Sequence, residues 1–256
     1  MPEADRPSGT LAVAAKADTI GFMSTTLDDV RPLTFDDLEW VLDISGYRRE
    51  RIAGYAPRFW RPAPDARARH NEFLGQQIQD PQVVSLRTDH GFAFAARRGE
   101  VLDVDDMALD DDNLWPHDGS ALLRAVIQTS DLCFVCPIPE PERRQTAVHL
   151  GMVLVESWWH RDLATETSAT VVDPDPVFAV QGASGRLVEA PPVYAPGGPV
   201  LLTFDVGSGT ALTAIQDAAS AGGAVVSVVS REPSQPTDFP TSAGCKRTTD
   251  FFTWRR

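Results

Sequence analysis

Two stretches of the sequence follow the same order of elements about 90 residues apart, and this repeat limits the folds open to the chain. In each stretch a glycine loop leads into an apolar helix, a buried strand follows, and a glycine begins a last strand that ends in aromatic residues. The corresponding positions are Gly119 and Gly209, Leu132 and Ala224, and Gly151 and Gly244. Strands that alternate with helices in both stretches predict an α/β fold with an internal repeat.

The first stretch is the longer one, and it predicts a complete domain over residues 29–163. Thr34 suits the N-cap of its first helix, with Asp36 and Asp37 in the first turn. A second helix, "ARARHNEFLGQQIQD", precedes three predicted strands, "VVSLRT", "FAFAAR" and "EVLDVDDMAL". Residues 177–256 predict a shorter second lobe. Residues 1–28 lack periodicity and predict a flexible leader, and the polar segment 164–176, which ends in prolines, predicts a linker.

Charge and apolar content narrow the classes of partner. The chain has 23 Lys and Arg against 36 Asp and Glu, for a formal charge of −13. This charge disfavours nucleic acid and anionic membranes, because both repel an acidic protein. No stretch reaches the ~20 apolar residues of a membrane helix, and the apolar run at 11–15 is too short for a signal peptide, so we expect a cytoplasmic protein. Cys133 and Cys136 lie in an apolar run without a second CxxC, which predicts buried thiols and no metal site.

The stretch "MALDDDNLWPHDGSALL" resembles a strand, loop and helix of the GNAT acyltransferase superfamily, whose loop has the form Q/R-x-x-G-x-G/A. "AVHLGMVLVES" is similar to that family's later helix and its strand that begins at a glycine. The resemblance spans about 30–163, with a truncated second copy at 176–254. It implies a GNAT-like mixed central sheet flanked by helices, with acetyl-CoA bound between two splayed strands. It also implies direct transfer of an acetyl group to a small-molecule amine.

The same resemblance implies which residues would contact acetyl-CoA. A backbone N–H of Ala108 or Leu109 would polarise the thioester carbonyl. The loop and the first turn of the helix would bind the pyrophosphate through backbone N–H groups; these residues are His117, Asp118, Gly119, Ser120 and Ala121.

The pyrophosphate loop departs from the family pattern in ways that weaken an anion site. Only Gly119 is kept, since Leu114 stands at the Gln or Arg position and His117 at the first glycine. Asp118 can itself cap the helix, and it places negative charge where a phosphate would bind. The second copy offers Gly207 and Gly209 in "DVGSGTALTAI", although a tight turn between strand and helix explains such glycines equally well.

Asp105 is the first candidate for the general base that removes the amine proton. Asp103 lies two residues away on the same strand face, so that the two carboxylates could raise each other's pKa. A solvated acidic edge is the plainer interpretation. The family's acid is a Tyr four residues before the glycine, where this chain has Ala147, and Pro240 in the second copy. His149, in the same helix, could replace it through a water, unless its role is structural.

The segment "ESWWHRDL" concentrates other residues that are capable of chemistry. Alternation places Glu156, Trp158 and His160 on one face of a strand. Aromatic side chains beside a carboxylate and an imidazole would suit a binding pocket for an amine. A core strand with polar tips is the alternative. The arginine-rich segment 48–70 could bind an acidic substrate or a CoA phosphate; otherwise it forms a solvated helix face or ion pairs with the acidic loop.

Two functions remain open from the sequence. The leading hypothesis is an acetyl-CoA-dependent N-acetyltransferase for a small amine, with Asp105 or Glu156 as base. The alternative is a diverged GNAT-fold protein that no longer uses CoA and that binds a small molecule, serves as a structural partner or catalyses another reaction. A homodimer is compatible with either.

Overall fold

The computed structural model describes residues 29–163, which we call the first lobe, and residues 177–235 and 238–255, which we call the second lobe. The predicted leader, 1–28, and the predicted linker, 164–176, lie outside the described residues. Within the described part of the chain, no helix has both the length and the apolar character needed to span a bilayer.

The described residues form six helices, and the first five match the predicted periodicity. Thr34 is the N-cap residue of the 3-10 turn before the first helix, and its backbone N–H and hydroxyl both donate to Asp37 Oδ2 at 2.9 Å. In chain order the helices are α1 (Leu38–Tyr55), α2 (Ala66–Gln79), α3 (Ser120–Ile127), α4 (Pro141–His149), α5 (Gly209–Ala221) and α6 (Asp238–Ser242).

All strands of the described residues join one mixed sheet, as an α/β fold with flanking helices requires. They are β1 (Arg31–Pro32), β2 (Val83–Arg87), β3 (Gly91–Arg98), β4 (Val101–Val104), β5 (Met107–Leu109), β6 (Asp131–Pro137), β7 (Val153–Asp162), β8 (Val177–Val180), β9 (Ala183–Val188), β10 (Val200–Phe204), β11 (Val226–Arg231) and β12 (Lys246–Trp254). The strand order in the sheet is β1-β2-β3-β4-β6-β12-β7-β11-β10-β9-β8. β5 lies outside this order and pairs antiparallel with β3. Only β4 with β6 and β10 with β11 pair in parallel.

The last strand of each lobe is hydrogen-bonded within the other lobe. β12 of the second lobe lies between β6 and β7, while β7 of the first lobe lies between β12 and β11. Ser157 pairs with Asp250, and the flanking pairs are Trp158 with Thr249 and Glu156 with Phe251. Gly151 and Gly244 are equivalent positions of the repeat, 93 residues apart. With the same offset, Trp158 is equivalent to Phe251 and Glu156 to Thr249, so each flanking pair is the repeat equivalent of the other. An approximate two-fold axis therefore passes through the Ser157–Asp250 pair, and each lobe is completed by a strand of the other.

Helices cover both faces of the sheet and bury its apolar side chains. On one face, α3 and α4 pack on β4, β6 and β12 around Trp115, Phe134 and Phe252. On the other face, α1 and α2 cover β3 and β5. Alternation along β6 points Cys136 into the core and leaves Cys133 half-buried, so the predicted buried thiols are confirmed for Cys136. Burial raises the pKa of both thiols, that of Cys133 to about 11 and that of Cys136 to about 12.

Candidate functional site

The predicted strand at 100–109 breaks into β4 and β5, and this break shapes the centre of the first lobe. At the break, Met107 N–H donates to the carbonyl of Asp105 at 3.1 Å, and Phe94 N–H donates to that of Asp106 at 2.8 Å. β4 pairs with β6, whereas β5 pairs only with β3. The chain therefore leaves a gap between β5 and the end of β6, which we call the first wedge. Acetyl-CoA would enter here if the family resemblance extended to the cofactor.

The side chain of Arg143, from α4, fills the first wedge. Its guanidinium is fully buried and donates to carbonyls of both strands: Nε to Val135 at 2.7 Å, Nη1 to Met107, and Nη2 to Asp105 at 3.4 Å. The guanidinium also lies 4.5 Å from the ring centre of Phe134. Because it satisfies backbone groups of both diverging strands, it takes the place that a ligand between them would need.

Glu140 connects this arginine to α1. Its carboxylate accepts two hydrogen bonds from Arg48, at 2.8 and 3.0 Å, and one from Arg51 at 3.1 Å, and Arg143 lies 3.6 Å away. Burial would raise the pKa of Glu140, but the positive charges of Arg48 and Arg143 outweigh it and lower the pKa to about 2. Arg51 also binds Asp112 in the acidic loop, at 2.6 and 3.2 Å. The arginine-rich segment thus pairs with the acidic loop, one of the alternatives that the sequence left open.

The predicted pyrophosphate loop packs on its own tryptophan. The Trp115 ring is buried, and a Cβ atom at position 119 would lie 2.4 Å from Trp115 Cε3. Gly119 is therefore required by contact with this ring. Asp118, which is only 8% exposed, adds a carboxylate to the same turn. Ser120 and Ala121 begin α3 directly after it, and His117 is half-buried.

The groups of the first wedge do not fit acetyl-CoA. The strand carbonyls are bonded to Arg143, the gap holds its guanidinium, and the loop carries the carboxylates of Asp112 and of buried Asp118, which disfavour a further anion. Of the two predicted backbone donors, Ala108 lies opposite Phe92, and Leu109 lies opposite Gly91 with its side chain against that glycine.

The second lobe has an equivalent gap beyond the paired parts of β10 and β11, and its groups are also engaged. Arg231 donates to the carbonyl of Val206 at 3.2 Å and lies 4.2 Å over the ring of Phe239. Gly207 N–H donates to the carbonyl of Gly182 at 2.9 Å. Ser208 caps α5, since its Oγ accepts from the N–H of Ala211 at 3.2 Å. These contacts fit a tight turn between strand and helix better than a pyrophosphate site.

A cavity of about 650 Å³ opens on the other side of the β4–β5 break. It lies between α1, α2 and β5, and a proline-rich segment of the second lobe closes it. Its lining includes charged, aromatic and apolar side chains: Ser45, Arg48, Arg49, Arg69, His70, Glu72, Phe73, Gln76, Phe92, Arg98, Asp105, Asp106, Ala108, Pro191, Pro192, Val193 and Tyr194. Concave sites with a few convergent polar groups are the usual form of a ligand site.

The pKa values of two adjacent carboxylates in this cavity are shifted in opposite directions. Burial raises the pKa of Asp105, and the neighbouring charge of Asp106 adds to the effect. For Asp106, burial is outweighed by the hydrogen bond from His70, 3.3 Å from its Oδ2, so its pKa is lowered. Arg49 donates to His70 Nδ1 at 2.8 Å, which leaves the proton of a neutral ring on Nε2, facing Asp106. The carboxylate of Asp105, the predicted base, accepts no hydrogen bond from another described residue.

Tyr194 is a cavity residue that the sequence analysis missed. Its segment is attached to the first lobe by a bridge to Pro62 and by bonds from Ala63 N–H to Val193 at 2.9 Å and from Ala195 N–H to Arg61 at 2.8 Å. Burial raises the pKa of its hydroxyl, which makes no hydrogen bond with another described residue. A tyrosine in a proline-rich loop 89 positions after Asp105 carries no sequence signal for this contact.

The other predicted catalytic residues do not line this cavity, whereas Ala108 does. Glu156 Oε1 accepts from Trp158 Nε1 and Ser230 Oγ, both at 2.6 Å. His160 is buried, with Nδ1 2.7 Å from Thr248 Oγ1 and its ring tilted by 34° against that of Phe59. Burial lowers the pKa of His160 to about 4. His149 is exposed at the end of α4. The contacts of His160 fit the core-strand interpretation.

Comparison with known proteins identifies the fold. No protein-family model and no curated protein matches the sequence. A structure from Thermoplasma acidophilum, of a protein assigned as an acetyltransferase, aligns with a TM-score of 0.55 at 10% identity, over 89% of this chain and 99% of that one. A GCN5-related N-acetyltransferase from Sphaerobacter thermophilus aligns with a TM-score of 0.48 at 9% identity, over 88% and 94% of the two chains. A tandem GNAT protein from the clavulanic acid pathway aligns with a TM-score of 0.42 at 13% identity, over 88% and 97%. The protein therefore shares the fold of the Thermoplasma acidophilum acetyltransferase, in agreement with the α/β fold that the sequence resemblance implies.

Proposed function

We propose that this chain is a diverged GNAT-fold protein that binds a small molecule in the cavity between its lobes and does not bind acetyl-CoA in its first wedge. The observation that carries this proposal is Arg143, which bridges the carbonyls of the two strands that a bound cofactor would separate. Displacing it would take this donor from the carbonyls of Val135 and Met107 and would move a buried charge away from Glu140. Cofactor binding would have to compensate for both effects.

The cavity has the groups that a ligand site needs. Asp105 offers an unpaired carboxylate whose raised pKa suits it to accept a proton from a bound molecule. Tyr194 offers a hydroxyl, and Phe73 and Phe92 offer apolar surface. The second lobe contributes Tyr194 and the prolines of the closing segment, so the ligand would contact both lobes.

The second candidate is an acetyl-CoA-dependent N-acetyltransferase that acts on a small amine by direct transfer. The GNAT fold favours it, and so does the presence of Asp105 and Tyr194 in one cavity, where they could serve as base and acid. This function requires Arg143 to leave the first wedge, or the second lobe to bind the cofactor. The charge of −13 disfavours nucleic acid and anionic membranes as partners. We expect a cytoplasmic protein, and a homodimer is compatible with this function.

Calorimetric titration with acetyl-CoA separates the two functions. We expect no saturable heat with the wild type or with Arg124→Ala, a control on the exposed face of α3. Saturable micromolar binding to the wild type would refute the proposal. CoA release that depends on an added amine and is lost in Asp105→Asn would then establish the second candidate. Binding that appears only in Arg143→Ala would identify the guanidinium as the group that excludes the cofactor.

A further inference from the structure

Three polar groups in the cavity have no hydrogen-bond partner among the described residues. Ser45 Oγ is buried, in a residue only 5% exposed, and is unpaired. The carboxylate of Asp105 and the hydroxyl of Tyr194 are also without such a partner. Buried polar groups in proteins are almost always satisfied by protein, water or ligand. Only Ser45 Oγ is fully enclosed, since Asp105 is exposed and Tyr194 is half-buried. The three groups without a protein partner nevertheless surround one cavity, where a polar ligand could bond to them.

The unpaired groups include donors and an acceptor. Arg48 uses Nε and Nη2 to bind Glu140, which leaves Nη1 without a bond to another described residue. The hydroxyl of Tyr194 is a second donor, close enough to Arg48 for that charge to lower its pKa against the effect of burial. Asp105, once ionised, only accepts. The cavity thus offers a donor pair for an anionic group and a carboxylate for a cationic one.

Charged groups of the cavity wall balance with the charged groups that they contact behind it. Four arginines and four carboxylates form one connected region: Arg48, Arg49, Arg51 and Arg143 with Asp105, Asp106, Asp112 and Glu140. Arg69 and Arg98 are each paired with an aspartate outside this region, so Glu72, which like Asp105 is exposed, is the one further charge of the lining. A ligand with a single net charge would unbalance this region, whereas a ligand with both charges would not.

We propose that the cavity binds a small zwitterion, namely a free amino acid whose carboxylate bonds to Arg48 and Tyr194 and whose ammonium bonds to Asp105. The side chain of this ligand packs on Phe73 and Phe92. This inference rests on the proposed function, since it names the ligand of the same cavity.

The test is calorimetry of the full chain at neutral pH with two matched sets of probes. One set is phenylalanine, phenethylamine and 3-phenylpropanoate, and the other is leucine, isoamylamine and 4-methylpentanoate. Within a set, we expect the analogue that lacks either charged group to bind roughly 5- to 100-fold more weakly than the amino acid, because one protein group that the bound ligand covers then stays unpaired. Equal affinity for the amine alone or the carboxylate alone, or no binding in either set, would overturn the inference.

Variants assign the two ends of the ligand. Asp105→Asn should abolish the preference for the amino acid over the carboxylate probe, and Tyr194→Phe should reduce the preference over the amine probe. Asp110→Asn and Tyr47→Phe, exposed positions outside the cavity, should leave both preferences unchanged. A loss of preference in these controls would also overturn the inference. Acetyl-CoA titration remains the separate test of the proposed function, so the failure of one is distinguishable from the failure of the other.

Discussion

Replacement of Arg143 by methionine tests whether its guanidinium joins the two strands of the first wedge. Methionine keeps an unbranched stem near Phe134 and Trp115, so packing is largely retained. The carbonyls of Val135 and Met107 lose this donor, whereas that of Asp105 still accepts from Met107 N–H at 3.1 Å. Each buried carbonyl left unpaired costs about 1–3 kcal/mol.

Glu140 keeps Arg48 and Arg51 as partners in this variant, so no buried charge is left alone. We therefore expect the free energy of unfolding to fall by about 3–5 kcal/mol, without the further loss that follows an orphaned ion. The assay is urea unfolding followed by circular dichroism, read from the transition midpoint and slope. Arg124→Met, exposed on α3, should change stability by less than about 0.5 kcal/mol. A loss below about 1 kcal/mol for Arg143→Met would refute the bridging role.

Three further predictions concern titration and the exchange of strands. The pKa of Glu140 falls from 4.5 to about 2 on folding, which contributes about 3 kcal/mol to the free energy of unfolding above pH 4.5. This contribution is lost as the pH falls towards 2, and Glu140→Gln should flatten that part of the plot of unfolding free energy against pH. Burial, and then Lys246, lower the pKa of His160 from 6.5 to about 4, so stability should fall as the pH drops through this range, and His160→Phe should remove that slope, as thermal unfolding would measure. A chain that ends at residue 163 lacks β12 and exposes edges of β6 and β7, so it should aggregate, and co-expression of 177–256 should restore solubility, as gel filtration would detect.

Much of the scaffold could be predicted from the sequence because it depends on local patterns. Helical spacing located α1 to α5, and the apolar run "LCFVCPI" located β6. The repeated glycines at 151 and 244 marked the entry to equivalent strands. The acidic loop and the arginine-rich segment suggested the ion pair that Arg51 and Asp112 form. In each case the signal lies within a single element or in the charge of two segments.

The candidate site could be predicted only in part. Asp105 stood out as an acid on a strand, but its position in a cavity depends on the break between β4 and β5, which hydrogen bonds from β3 help to hold. Arg143 lies in a polar helical segment, "ERRQTAVHL", where Arg144 has the same local pattern and is half-exposed. Nothing in the spacing distinguishes the arginine that enters the wedge from its neighbour.

The sequence by itself determined the repeated α/β order, the helices and strands, and the loss of the family's loop residues, because each is written in neighbouring side chains. Tertiary structure alone decided that β7 and β12 exchange between lobes, that Arg143 fills the first wedge, and that Tyr194 joins Asp105 in one cavity. These features depend on which unpaired backbone and charged groups meet after distant segments pack, and that pairing has no local signature.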